Sequence, residues 1–316
     1  MGDGVRRTSL ARHRPSPRRE IVPTSNSRRA TWCALGAVGI WSTVATAFKL
    51  ALRDLDTYQL LLVADVVSLL CLGGVLAWQR RPRAPFAIAA GDRWRALALG
   101  ALNPFAYYLV LFAAYDRLPA QVAQPLNYTW ALTLSWLAIP LLKQKPRPRV
   151  LVAGVICYAG VVLIATGGRA PGHGTADPLG VGLALGSTVL WALYWLVNAR
   201  SRLDPVVGLW WNFAGALPLC AAAVALRSSF VMPARGLLGG AYVGAFEMGF
   251  TFVLWLSALR LAPSAARIAN LIFLSPLLSL VLINFVLHEP VRLTTVGGLA
   301  LIIAGLWWQR NEGAAA

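Results

Sequence analysis

The sequence predicts an all-α integral membrane protein, with ten transmembrane helices arranged as two inverted five-helix repeats. Three observations carry this. First, hydrophobic residues make up 58% of the 316-residue chain and charged residues only 13%, with a mean hydropathy of +0.61. A soluble domain carries about 25% charged residues, so this chain has too few to cover a water-facing surface. Second, the apolar residues fall into continuous runs, each long enough to cross ~30 Å of hydrocarbon at about 1.5 Å per residue. Third, 21 of the 29 Lys and Arg lie in every other connection, 6 lie in the intervening ones, and Lys49 and Arg267 fall within spans.

The chain opens with residues 1–29, a Pro/Ser/Arg-rich stretch with eight arginines and no apolar face to bury, read as a disordered cytoplasmic tail. The spans follow at 30–51, 57–78, 94–115, 119–141, 149–166, 178–199, 206–226, 236–260, 263–287 and 291–309. The runs do not alternate in ten-residue pieces, which excludes a β-barrel reading. Ala45-Thr46-Ala47 imitates a signal-peptide cleavage site, but the run before it is as long as a membrane span, so the first helix is a signal anchor. The Lys and Arg bias places both termini in the cytoplasm.

An internal repeat divides the chain into 30–166 and 178–309. Leu35-Gly36 with Trp41 recurs as Leu185-Gly186 with Trp191, and Asp56 and Asp204 each open the next span. Pro119, Leu134, Ser135, Ile139, Pro146 and Gly154 recur as Pro263, Leu278, Ser279, Ile283, Pro290 and Gly298 at a constant offset of 144. Five spans per unit is an odd number, so the second unit enters the membrane upside down, as in secondary transporters.

Several function classes are excluded or weakened. The net charge of +17 lies in the tail and short connections, where it orients a membrane protein and meets anionic lipid instead of nucleic acid. The four cysteines, Cys33, Cys71, Cys157 and Cys220, lie in apolar runs and are too few for a disulfide scaffold. There is no Gly-x-Ser-x-Gly, His-Glu-x-x-His or Walker lysine, and three histidines make a metal site improbable. The chain is therefore expected to be neither an enzyme nor a holder of a cofactor, and without a nucleotide motif its energy source is ion coupling or exchange.

The two five-helix halves, Pro119 and Pro263, Leu274-Ser275-Pro276-Leu277, Glu289, Gly298 and Gly305 together resemble the drug/metabolite transporter superfamily in its ten-helix EamA-type branch. Within that branch, Trp41-Ser42-Thr43, Asn127-Tyr128 with Trp130, and Trp191 with Tyr194 are similar to bacterial aromatic amino-acid exporters. The resemblance implies a central cavity lined by helices 1, 3, 4, 6, 8 and 9. It further implies a secondary transporter of the inner membrane, exporting amino acids (aromatic or otherwise hydrophobic) or related small metabolites by alternating access. An exchanger of phosphorylated sugars or nucleotide-linked metabolites would need several buried cations, and here only Arg267 offers itself. A non-transporting membrane protein is the remaining alternative.

Polar groups at membrane depth are costly and so are candidate functional residues. Glu247 lies near the middle of helix 8, where it reads as a proton-coupling site, as the partner of a substrate ammonium, or as a carboxylate neutralised by Arg267. Arg267 and Asn270 occupy one face of helix 9, and the guanidinium could hold a substrate carboxylate or snorkel to headgroups. Gln124, Asn127 and Trp130 form one stripe of helix 4. Asn103 with Tyr107 marks helix 3, Trp191 with Tyr194 marks helix 6, and Trp41 with Ser42 marks helix 1. Aromatic walls suit apolar, aromatic or cationic substrates, though packing explains them equally well. Asp65 and Asn212 read as structural, with Lys49 a partner for Asp65. Trp78, Trp94, Trp307 and Trp308 read as interface anchors. Pro104, Pro125, Pro218 and Pro276 permit bends; those in helices 3, 4 and 9 read as gate hinges or ligand-facing backbone, or as prolines that membrane helices merely tolerate.

Overall fold

The computed structural model describes residues 24–141, 148–169, 176–198, 200–262 and 271–310. Within them the chain is helical, with no strand. The helices are α1 (Thr24–Ala51), α2 (Thr57–Trp78), α3 (Ala90–Arg117), α4 (Ala120–Asn127 and Trp130–Leu141), α5 (Pro148–Thr166) and α6 (Pro178–Asn198). They continue as α7 (Pro205–Arg227), α8 (Ala234–Leu261), α9 (Leu274–Leu287, preceded by a 3-10 turn, Leu271–Phe273) and α10 (Leu293–Arg310). Seven of the described helices are long and apolar enough to span a membrane, and the shorter α9 and α10 are apolar as well. Helix α1 begins at Thr24, inside the stretch expected to be tail; residues 1–23 lie outside the described residues.

Local chemistry fixes where the helices start. Asp56 caps α2, accepting from Tyr58 N at 2.8 Å and Gln59 N at 2.9 Å, while Gln59 accepts from Asp56 N to complete a capping box. Asp204 caps α7 in the same manner through Val206 N and Val207 N. The two aspartates that mark the repeat in sequence are thus matching N-caps.

Helix packing repeats when both helix numbers advance by five. Helix α1 packs on α8 and α9, and α6 packs on α3 and α4; α2 packs on α8, and α7 on α3; α2 meets α7, and α5 meets α10. Close crossings depend on glycine. A Cβ at Gly160 would stand 2.5 Å from the Gly298 carbonyl, and one at Gly298 would stand 2.6 Å from the Gly160 carbonyl, so α5 and α10 meet backbone to backbone. Gly244 of α8 meets the Ala64 carbonyl of α2 in the same way, at 2.5 Å. In a lipid environment, where apolar burial drives little association, such close approach supplies the packing.

The connections segregate by end. Arg235 pairs with Asp54 at 3.4 Å, Arg117 pairs with Asp177 at 3.1 Å, and Gln59 Nε2 donates to Ser229 O, all at one end of the bundle. The Arg117 guanidinium holds the exposed Asp177 carboxyl below the usual carboxylate range. At the other end Arg81 meets Asp204 at 3.4 Å, and Trp211 donates to Pro85 O at 2.8 Å. Trp78, Trp94, Trp307 and Trp308 are all exposed, as expected of interface anchors.

Candidate functional site

Two helices change winding at matching places. Helix α3 is broken by a kink within Ala101–Ala106, and Val243–Gly249 in α8 is wound as π-helix, with α-helical turns on either side of each. Extra-residue turns of this kind recur at functional sites because they free carbonyls and re-aim side chains. In α3 the cause is Pro104, which removes a backbone donor, and Asn103 is left extended at φ −147° and ψ 120°. In α8 no proline is involved; Gly244 and Gly249 bracket the turn, and Thr251 donates its hydroxyl to the freed Phe246 carbonyl.

Asn103 and Glu247 stand 144 residues apart, the offset of the sequence repeat; Asn103 sits at the kink of α3 and Glu247 in the π-turn of α8. The Tyr108 hydroxyl donates to Glu247 Oε1 at 3.2 Å, and the Trp41 indole lies within reach of the same carboxyl. The second oxygen, Oε2, is buried with no partner. Among the described residues no ion pair includes Glu247. Asn103 is 3% exposed and Gln124 4%, and both side-chain oxygens are unpartnered.

A chain of aromatic contacts joins these groups. Tyr107 lies 4.7 Å from Tyr108 and 4.6 Å from Trp191, measured between ring centres. Trp191 also meets Phe252 at 6.1 Å and Trp130 at 6.4 Å, and Trp41 meets Phe252 at 6.0 Å and Trp255 at 5.4 Å. Asn127 donates to Ser187 Oγ at 3.0 Å and reaches the Tyr107 hydroxyl at 3.5 Å. Trp41, Tyr107, Asn127, Trp130, Trp191 and Glu247 are therefore brought together, from α1, α3, α4, α6 and α8, while Asn103, one turn before Tyr107, lies within reach of Tyr194.

Other expected residues are committed elsewhere. Ser42 is buried and donates to Val38 O at 2.6 Å, so its hydroxyl serves its own helix. The Tyr194 hydroxyl lies 2.8 Å from Asn212; with the amide turned to suit its neighbours, Asn212 accepts from Tyr194 and donates to the Ala96 and Gly208 carbonyls. The structural role expected of Asn212 is met by that network. Asp65 is fully buried with both oxygens unpartnered, and Lys49 is not its partner. Lys49 instead donates to Tyr115 O at 2.7 Å and Leu118 O at 3.2 Å, because the end of α3 leaves carbonyls without helical partners. Arg267 and Asn270 lie outside the described residues.

A second polar cluster grips the corner between α3 and α4. Glu289 accepts from Ala120 N at 3.2 Å and Gln121 N at 3.4 Å, placing a carboxylate on the first turn of α4. His288, left-handed at φ 55°, ends α9 and turns Glu289 toward that helix. Gln121 donates to Pro290 O at 2.9 Å and accepts from Arg292 N at 3.1 Å and the Thr295 hydroxyl at 3.3 Å. The corner is thus held by Lys49 of α1 on one side and the α9–α10 connection on the other.

Sequence reasoning missed Tyr108, Phe252 and Trp255. The signal for two of them was present: Phe252 stands 144 residues after Tyr108, as Glu247 does after Asn103.

A multi-pass helical bundle of two related halves, with one acid and a set of rings at its middle, is the build of a membrane transporter. Residues 28–166 and 178–309 match the EamA-like transporter family, and the chain belongs to that family. It is 26% identical over 276 residues to an uncharacterized transporter of Archaeoglobus fulgidus, covering 85% of this chain and 92% of the relative. Protein PecM of Dickeya dadantii is 26% identical over 223 residues, covering 68% of this chain and 73% of its own length. A crystal structure with 21% identity superposes with a TM-score of 0.64 over 92% of this chain and 99% of the other, which speaks for the fold alone.

Proposed function

We propose that the chain is a secondary transporter exporting amino acids, aromatic or otherwise hydrophobic, or related small metabolites, from a cell whose cytoplasm holds both termini. The observation that carries this reading is Glu247, with a free buried oxygen amid aromatic rings, at the position in the second half that Asn103 holds in the first. The charge of a buried carboxylate needs a companion, either a proton or a substrate cation. The odd number of helices in each half makes the repeats inverted, and exchange of their packing opens the site to each side in turn. Counterflow of labelled amino acids in proteoliposomes tests this. Saturable uptake above empty liposomes is expected for at least one amino acid; a broad panel with no uptake would reject it.

The grip on the α3–α4 corner serves as the closed gate at the face opposite the termini. Lys49→Met and Glu289→Gln each release one side of that corner. The expected result is faster labelling of Tyr107→Cys by a membrane-impermeant thiol reagent added from that face. Unchanged labelling in both variants would show that the corner is not a gate.

A further inference from the structure

We infer that the central cluster selects a protonated amine on a flat apolar body, and that a carboxylate on the same ligand contributes little to binding. This rests on the transport reading above and names the substrate class of its site. The unpartnered buried oxygen amid the rings is an acceptor, Glu247 Oε2, and the amide oxygens of Asn103 in α3 and Gln124 in α4, on the helices that line the cluster, are unpartnered as well. The unpartnered Trp195 indole N–H, a neutral donor, belongs to a ring that meets Trp191 edge to face at 5.7 Å. A ligand seated against the unpartnered Glu247 Oε2 must bring a donor, and a primary ammonium brings three N–H groups together with the compensating charge.

The charge balance points the same way. Among the described residues, Glu247 is in no ion pair, and Lys49 of α1 is committed to the carbonyls that end α3. An ammonium entering the cluster gains the carboxylate and the faces of the surrounding indoles, both of which attract cations. A carboxylate entering it meets that same acid and those same faces, and both repel it. The rings meanwhile accept a planar apolar body by stacking, with Trp191 between Tyr107 and Phe252.

The test uses wild-type protein in liposomes and in detergent, with tryptamine, phenethylamine, tryptophan, phenylalanine and indole as probes. Counterflow and thermal shift are expected to rank each amine at least equal to its amino acid, with neutral indole weakest. Glu247→Gln is expected to weaken tryptamine by at least about tenfold and leave indole unchanged. Amino acids bound about tenfold better than their amines would overturn the inference and leave the transport reading standing. Transport of other solutes with no response to any of the five probes would do the same. No flux of any solute would instead reject the transport reading. The comparison among wild-type probes decides the matter even if the variant fails to fold.

Discussion

Glu247→Gln protein reconstitutes as folded transporter, but its transport rate no longer varies with pH. The reasoning starts from isosterism: glutamine keeps the acceptor for the Tyr108 hydroxyl, so the contact at 3.2 Å survives while the titratable group is lost. Among the described residues, Glu247 is the acid within the aromatic cluster, whereas Asp65 lies in α2, outside that chain of ring contacts. If a proton and a substrate use Glu247 in turn, removing the acid uncouples them. Counterflow, which needs no gradient, then loses its pH profile, and pH-driven accumulation disappears. A Glu247→Gln variant with the wild-type pH profile would place the coupling group elsewhere.

The second large effect concerns packing. Gly160→Val and Gly298→Val each drive a side chain into the opposing backbone where α5 crosses α10. At Gly160 the nearest atom is the Gly298 carbonyl oxygen; at Gly298 the Ile164 side chain stands nearest and the Gly160 carbonyl next, at 2.6 Å. Helix carbonyls cannot rotate aside as a side chain can, so the helices must separate. Overpacking of this kind costs about 1–3 kcal/mol and occasionally more. The expected outcome is a Tm several degrees lower and a reduced yield of monodisperse protein. Gly182→Ala is the control, since its added Cβ meets nothing within 4 Å. Equal stability of all three variants would mean that the crossing is looser than the structure has it.

The sequence made the spans legible because hydropathy reports directly on lipid exposure: α2 runs over Thr57–Trp78, the predicted 57–78. Asp56 and Asp204 were legible as boundary marks because a capping carboxylate has to sit at the entry of its helix. The π-turn of α8 was not, since hydropathy carries no trace of an i→i+5 winding, and α8 achieves it with glycine and no proline. Proline position alone proved ambiguous. Pro104 lies at the kink of α3 and Pro125 in the short first piece of α4, yet α7 continues through Pro218.

The site residues were legible by position more than by role. Trp41, Tyr107 and Trp191 join the cluster, whereas the Ser42 hydroxyl is spent on its own helix, a choice of rotamer that spacing does not encode. Lys49 misled for a related reason. Its partners are backbone carbonyls released by the end of α3, and these exist only once the helix does. The kinship of Asn103 with Glu247 escaped because an amide and an acid are not identical letters, although they share a place in the repeat.

That difference between the halves has an electrical consequence. Of the two matching positions only one can ionise, so among the described residues the aromatic cluster itself carries at most one elementary charge, that of Glu247. A monovalent amine leaving that acid as a single proton replaces it moves no net charge in a full turnover. Such a cycle draws on the chemical gradient of protons alone, and clamping the membrane voltage at any value would leave its driving force unchanged.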